Sequence, residues 1–136
     1  MDTKLFLFLN GLHADWLDPI MIFISGKLTW LPFYLVLLFL VIKNYKRQSI
    51  LIIIGIILLI VCSDQVSSSI FKPLFERPRP CHNEAIKDLV YLPTGHCGGA
   101  YGFISSHACN AFALAVFITK ILKEHYSKIA WVMFVW

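Results

Sequence analysis

The residues with chemistry to offer are concentrated between Lys72 and His107. Lys72-Pro-Leu-Phe-Glu-Arg-Pro-Arg79-Pro80 holds two useful cations of different kinds. A lysine supplies a point charge, whereas an arginine supplies a planar fork that grips two phosphate oxygens together. Pro73, Pro78 and Pro80 stiffen the stretch between them. Further on, Gly98-Gly-Ala-Tyr-Gly102-Phe-Ile-Ser105-Ser106-His107 leads into an apolar run. Glycines let backbone N–H groups come close to an anion. Ser105 and Ser106 are good N-cap residues, and the start of a helix favours a phosphate through its free N–H groups and its dipole. His107, in that first turn, suits proton donation to a leaving oxygen. The plainer readings are interfacial cations that snorkel to headgroups and an ordinary capped helix.

The elements that position these groups belong in a membrane. Of 136 residues, 58% are hydrophobic and 15% charged, and the mean hydropathy is +0.71. Soluble domains average about half apolar and a quarter charged. Residues 28–42 and 49–71 are apolar runs without a basic residue, and the second reaches the roughly 20 residues that span a bilayer. A third spanning helix is predicted over 105–122, with the polar segment 73–104 as the loop before it. Asp64, Gln65 and Ser68 form a polar stripe on the second helix, facing roughly as Lys72 does. Asp64 could support Lys72 indirectly or bind a neighbouring helix. Residues 1–25 suit either short interfacial helices, with Trp16 at headgroup depth, or a broken spanning helix. The fold class predicted is all-α, a polytopic transmembrane bundle in a single membrane domain, 1–136, with an outward-facing loop carrying the phosphate site.

Charge sets the orientation. The net charge of +4 is distributed over short loops and points to topology rather than to a nucleic-acid partner. Lys43, Lys46 and Arg47 precede the second helix, and Lys120, Lys123 and Lys128 cluster around the end of the third. An antiparallel pair puts both clusters on the cytoplasmic side, so 73–104 faces outward. Residues 129–136 begin another apolar segment, but eight or nine helical residues rise only about 13 Å. They either lie in the interface or are the start of a helix in a longer chain, and the latter is favoured.

Lys72 to Pro80 fits Lys-x6-Arg-Pro, the first signature of the type 2 phosphatidic acid phosphatase superfamily of membrane lipid phosphatases. Phe103-Ile-Ser-Ser-His107 resembles its second, Pro-Ser-Gly-His, with Ile104 for Pro and Ser106 for Gly. The resemblance covers about residues 49–125. It implies phosphate transfer without a cofactor or metal, in which one histidine attacks phosphorus and a second protonates the leaving group. Matched by position, Lys72, Arg79, Ser105 and the backbone N–H of Ser106 bind phosphate oxygens, and His107 is the general acid. The attacking histidine belongs to a third signature, Ser-Arg-x5-His-x3-Asp, which has no match in this sequence. His82 and His96 share the loop but lack an orienting carboxylate, and His125 falls on the cytoplasmic side.

Cys62 and Cys109 read as helix packing residues. Cys81 and Cys97 are expected to pair as a disulfide; with His82 and His96 they also offer four zinc ligands, a less favoured reading because adjacent residues rarely both reach one metal. The function expected is hydrolysis of a membrane lipid phosphate or diphosphate through a phosphohistidine. The active site would lie on the extracytoplasmic face of a bacterial inner membrane, with the lipid phosphate and the surrounding lipids as the molecules contacted. Undecaprenyl diphosphate, phosphatidic acid, phosphatidylglycerol phosphate and lipid A phosphate all fit. The alternative is a non-catalytic member that binds headgroup phosphates, and a scaffold or transporter subunit is a third possibility.

Overall fold

The computed structural model describes residues 2–26, 28–95 and 97–136. They are mostly helical. No strand occurs among the described residues, apart from an isolated antiparallel bridge between Pro78 and Tyr101. The chain divides into two units: Met1–Pro32 with Glu76–Phe103, and Phe33–Phe75 with Ile104–Trp136.

In the second unit, helix α3 (Leu31–Tyr45) ends where Lys46 takes a left-handed backbone at φ 46°. Helix α4 (Ser49–Gln65) then continues through a π-helical turn (Val66–Phe71) into α5 (Lys72–Phe75). The run Leu31–Phe75 is long and apolar enough to cross a membrane, with a mean hydropathy of 2.5 over its most apolar window. It does not run straight. Leu38 and Ile56 line one small cavity of about 100 Å³, although 18 residues of straight helix would set them about 27 Å apart. The chain therefore doubles back at Lys46, and α3 and α4 lie side by side. Most of the large apolar side chains of α4, among them Ile50, Leu51, Ile57 and Leu58, point outward, a surface that calls for lipid rather than water.

Helix α6 (Ser106–Leu122) packs on this hairpin, and α7 (Ile129–Val135) packs on α6. The buried core is Leu37 and Val41 of α3, Ile118 and Leu122 of α6, and Ile129 and Met133 of α7. Gly55 allows α4 and α6 to approach midway, since a Cβ there would meet the Phe117 ring at 3.3 Å. One end of the unit is pinned by hydrogen bonds. Tyr45 Oη donates to the Ile121 carbonyl at 2.6 Å, and Asn44 Nδ2 donates to Tyr126 Oη at 3.1 Å. These contacts bring the basic cluster around Lys43 and Lys46 to the same end as that around Lys120 and Lys123. Lys72 and the start of α6 are at the opposite end.

The first unit holds α1 (Asp2–Asn10) and α2 (Asp18–Ser25) together with the polar segment. The Asn10 side chain pairs with the Tyr91 backbone in both directions, at 3.0 and 2.8 Å. The His13 ring stacks on that of Tyr91 at 3.7 Å, and Tyr91 Oη donates to the Asp18 carboxylate. This hydrogen bond holds the Tyr91 phenol above its ordinary range, helped by burial and by the charges of Asp18 and Asp15. An acid whose pKa is raised by the fold supports the fold in its protonated form. The Tyr91 contribution is therefore complete below the ordinary value of about 10 and is lost as pH climbs through the raised one. A tyrosine absorbance titration should show a late-ionising phenol that Asp18→Asn brings back down. A curve that Asp18→Asn leaves unchanged would mean that the bond does not form in solution.

Candidate phosphate-binding site

The residues singled out in the sequence fall in both units. Lys72, Ser105, Ser106, His107 and Asp64 belong to the helical unit; Arg79, Cys81 and Cys97 belong to the other.

The placement of Lys72 begins with the sequence Asp64-Gln-Val-Ser-Ser-Ser-Ile-Phe-Lys-Pro73. Serines in a helix can bond back to carbonyls three or four residues earlier and compete with the backbone ladder. Ser67 and Ser68 both donate to the Asp64 carbonyl, and Ser69 donates to Gln65 Oε1. Pro73 has no N–H to give and crowds the carbonyl of the preceding turn. The chain answers with a π-turn, in which the Lys72 N–H reaches the Ser67 carbonyl five residues back. In a regular α-helix residues five apart differ by about 140° around the axis. The wider turn brings Ser67 and Lys72 towards one face, and both point at α6.

There they meet Ser106. Lys72 Nζ lies 3.0 Å from Ser106 Oγ, and Ser67 Oγ lies 2.7 Å from the same atom. Ser67 is 1% exposed. Ser105 is the N-cap of α6; its hydroxyl accepts from the Ala108 N–H at 3.3 Å, and its carbonyl accepts from the Cys109 N–H at 3.0 Å. The N–H groups of Ser106 and His107 at the helix start thus have no intrahelical acceptor. The Ser105 hydroxyl is occupied in capping. Asp64 contributes its backbone carbonyl, and its carboxylate has no hydrogen-bond partner among the described residues.

His107 is exposed at a cavity of about 320 Å³ lined also by Tyr34, Ile60, Asn110, Leu114 and Trp136. Asn110 Oδ1 is buried without a partner among the described residues. The arrangement at this end is a helix start, an ammonium group and an imidazole, with room beside them.

Arg79 is held by a strand-like pairing. Its N–H donates to the Ala100 carbonyl at 2.9 Å, and the Gly102 N–H donates to the Arg77 carbonyl at 2.9 Å. The side chain lies against two glycines. A Cβ on Gly98 would stand 3.0 Å from one guanidinium nitrogen, and one on Gly102 would stand 3.2 Å from Cγ. Gly98 and Gly102 thus make room for the arginine, and Gly99 borders open space. Arg79 Nε is buried without a partner among the described residues.

A disulfide joins Cys81 to Cys97 and closes this pairing beyond Arg79. His82 Nε2 bonds the Gly98 carbonyl at 2.9 Å. The possible ligand atoms of Cys81, His82 and Cys97 lie within 4.8 Å of one another, but sulfurs bonded to each other are not thiolate ligands. His96, the fourth potential zinc ligand, lies outside the described residues.

Comparison with known proteins agrees with the motifs. Residues 51–136 match the PAP2 superfamily, and the chain belongs to that superfamily. It is 37% identical over 131 residues to a lipid A 4'-phosphatase of Bacteroides thetaiotaomicron, covering 95% of this chain and 58% of that protein. It is 39% identical over 127 residues to a lipid A 4'-phosphatase of Porphyromonas gingivalis, covering 93% of this chain and 54% of the relative. The chain thus spans just over half the length of these two relatives. No solved structure matches it.

If Gly98 is there for Arg79, Gly98→Ala should move the guanidinium while leaving Cys81–Cys97 closed. Peptides linked through the disulfide should persist in non-reducing mass spectrometry of the variant. Replacing both cysteines by serine should cost about 3 kcal/mol of stability, as for a loop of roughly this length. Finding both cysteines freely alkylated in the oxidised protein would contradict the pairing.

Proposed function

We propose that the protein is a membrane lipid phosphatase that removes the 4'-phosphate of lipid A. The observation that carries the phosphate site is the bond between Lys72 and Ser106, which joins the ends of two family signatures 34 residues apart. The choice of lipid A among the four lipids that fit the sequence is supported by the two relatives, both lipid A 4'-phosphatases.

The chemistry proposed uses Lys72 and the α6 helix start to hold phosphate oxygens. Arg79 is assigned a share of the same task by its place in the signature. Charge-assisted contacts to an equatorial phosphate oxygen gain strength as charge builds in the transition state. His107 protonates the departing sugar oxygen. A phosphohistidine mechanism also needs an attacking histidine, which the third signature carries and these 136 residues do not contain. The family mechanism supplies no role for a metal or cofactor. The helices form a polytopic bundle with the basic clusters around Lys43 and Lys120 on the cytoplasmic side. In this reading Lys72 and His107 face outward from the inner membrane, which the positive-inside distribution of the lysines and Arg47 supports.

Purified full-length protein in detergent or liposomes should release phosphate from lipid A, and tandem mass spectrometry of the product should show the 4' position vacated. Chelation should leave the rate unchanged. Arg79→Lys keeps the charge but loses the fork, so kcat/KM should fall roughly tenfold to a hundredfold, as for a charge-assisted contact worth about 1.5–3 kcal/mol. His107→Ala should mainly lower kcat, and less so for a substrate with a better leaving group. Lipid A left intact while phosphatidic acid is hydrolysed would replace the substrate and keep the class. Binding of lipid phosphates without turnover would favour the non-catalytic alternative.

A further inference from the structure

Ser67 belongs to neither family signature, yet it is the most deeply buried polar side chain near Lys72. It is 1% exposed, and an unpaired hydroxyl so buried is costly, so its partners have meaning. Lys72 can only donate, so the Lys72–Ser106 bond runs from ammonium to hydroxyl oxygen. The Ser106 proton is then free to go to Ser67 Oγ, 2.7 Å away, and the Ser67 proton goes to the Asp64 carbonyl at 3.1 Å. Only this direction lets each hydroxyl accept once and donate once. It ends on a main-chain carbonyl of α4, a fixed acceptor. Two N–H groups of Lys72 remain without an acceptor among the described residues.

We propose that Ser67 is a positioning residue for phosphate binding, orienting Lys72 through the Ser106 hydroxyl. This rests on the reading of Lys72 as a phosphate ligand. It also accounts for the serine at 106 where the family signature has glycine. A glycine offers Lys72 no partner in α6, whereas the serine anchors it and leaves its other donors facing outward. The π-turn is part of the device, because regular α-helical winding would turn Ser67 away from Lys72.

Two readouts on the full-length protein test it. In the first, kcat/KM on lipid A is measured for Ser67→Ala, Ser106→Ala and the double variant. Each single change should lower it about fivefold to tenfold, the worth of one hydrogen bond in a charged chain, and the double should lose no more than either. In the second, labelling of Lys72 by an amine reagent is followed by mass spectrometry, with Lys87 as the internal reference. Labelling should rise severalfold in both single variants and no further in the double. Multiplying losses, or wild-type kcat/KM and labelling in Ser67→Ala, would overturn the proposal. A wild-type protein that hydrolyses no lipid phosphate would refute the phosphatase reading instead, and the labelling pattern would then decide the role of Ser67 alone.

Discussion

The helical unit depends on how a helix interior deals with polar side chains where water is scarce. The end of α4 and the π-turn after it carry Asp64, Gln65 and three consecutive serines in an otherwise apolar run, and each hydroxyl must find a partner or impose a penalty. Bonding back to the Asp64 and Gln65 groups satisfies the serines but loosens the regular ladder. The π-turn that results is what faces Lys72 towards α6. Ser67 and Lys72 then meet the helix start of α6, which has free N–H groups of its own. A local conflict over hydrogen bonds thereby fixes where Lys72 is aimed.

The other unit solves a different problem, which is to hold an arginine on a segment with little regular structure. Short 3₁₀ turns and one bridge between Pro78 and Tyr101 supply few backbone constraints. The missing constraint comes from the Cys81–Cys97 link, from the glycines under Arg79 and from the Asn10–Tyr91 pairing. The last is contributed by residues 81 positions apart. Arg79 Nε is left desolvated and without a partner among the described residues, a cost that a bound phosphate oxygen would remove.

The sequence made the apolar helices and the two signatures legible, because periodicity and fixed spacing are local properties. Lys72, Arg79, Ser105 and His107 could be named on that basis. Ser67 could not. Helical spacing selects Asp64, Ser68 and Lys72 as one stripe, and that choice assumes 100° per residue throughout. The π-turn breaks the assumption just before Lys72 and puts Ser67 in play instead. The serine triplet followed by Lys-Pro was the available signal. Arg79 beside Gly98 and Gly102 was illegible for a related reason: a missing Cβ says that something comes close, not whether it is an anion or an arginine. The Asn10–Tyr91–Asp18 contacts left no local trace at all.

On the proposed reading of α6 as a spanning helix, its length has a consequence for the surrounding bilayer. Its 17 residues rise about 25 Å, short of a hydrocarbon layer of about 30 Å. Lipids beside such a helix would thin locally to match it, at a small cost per ångström of mismatch. Thinning lowers the headgroup plane towards the helix start. Under the proposed function, a lipid phosphate would then have less far to travel to reach Lys72, and the shortness of one helix would act as a ramp for it.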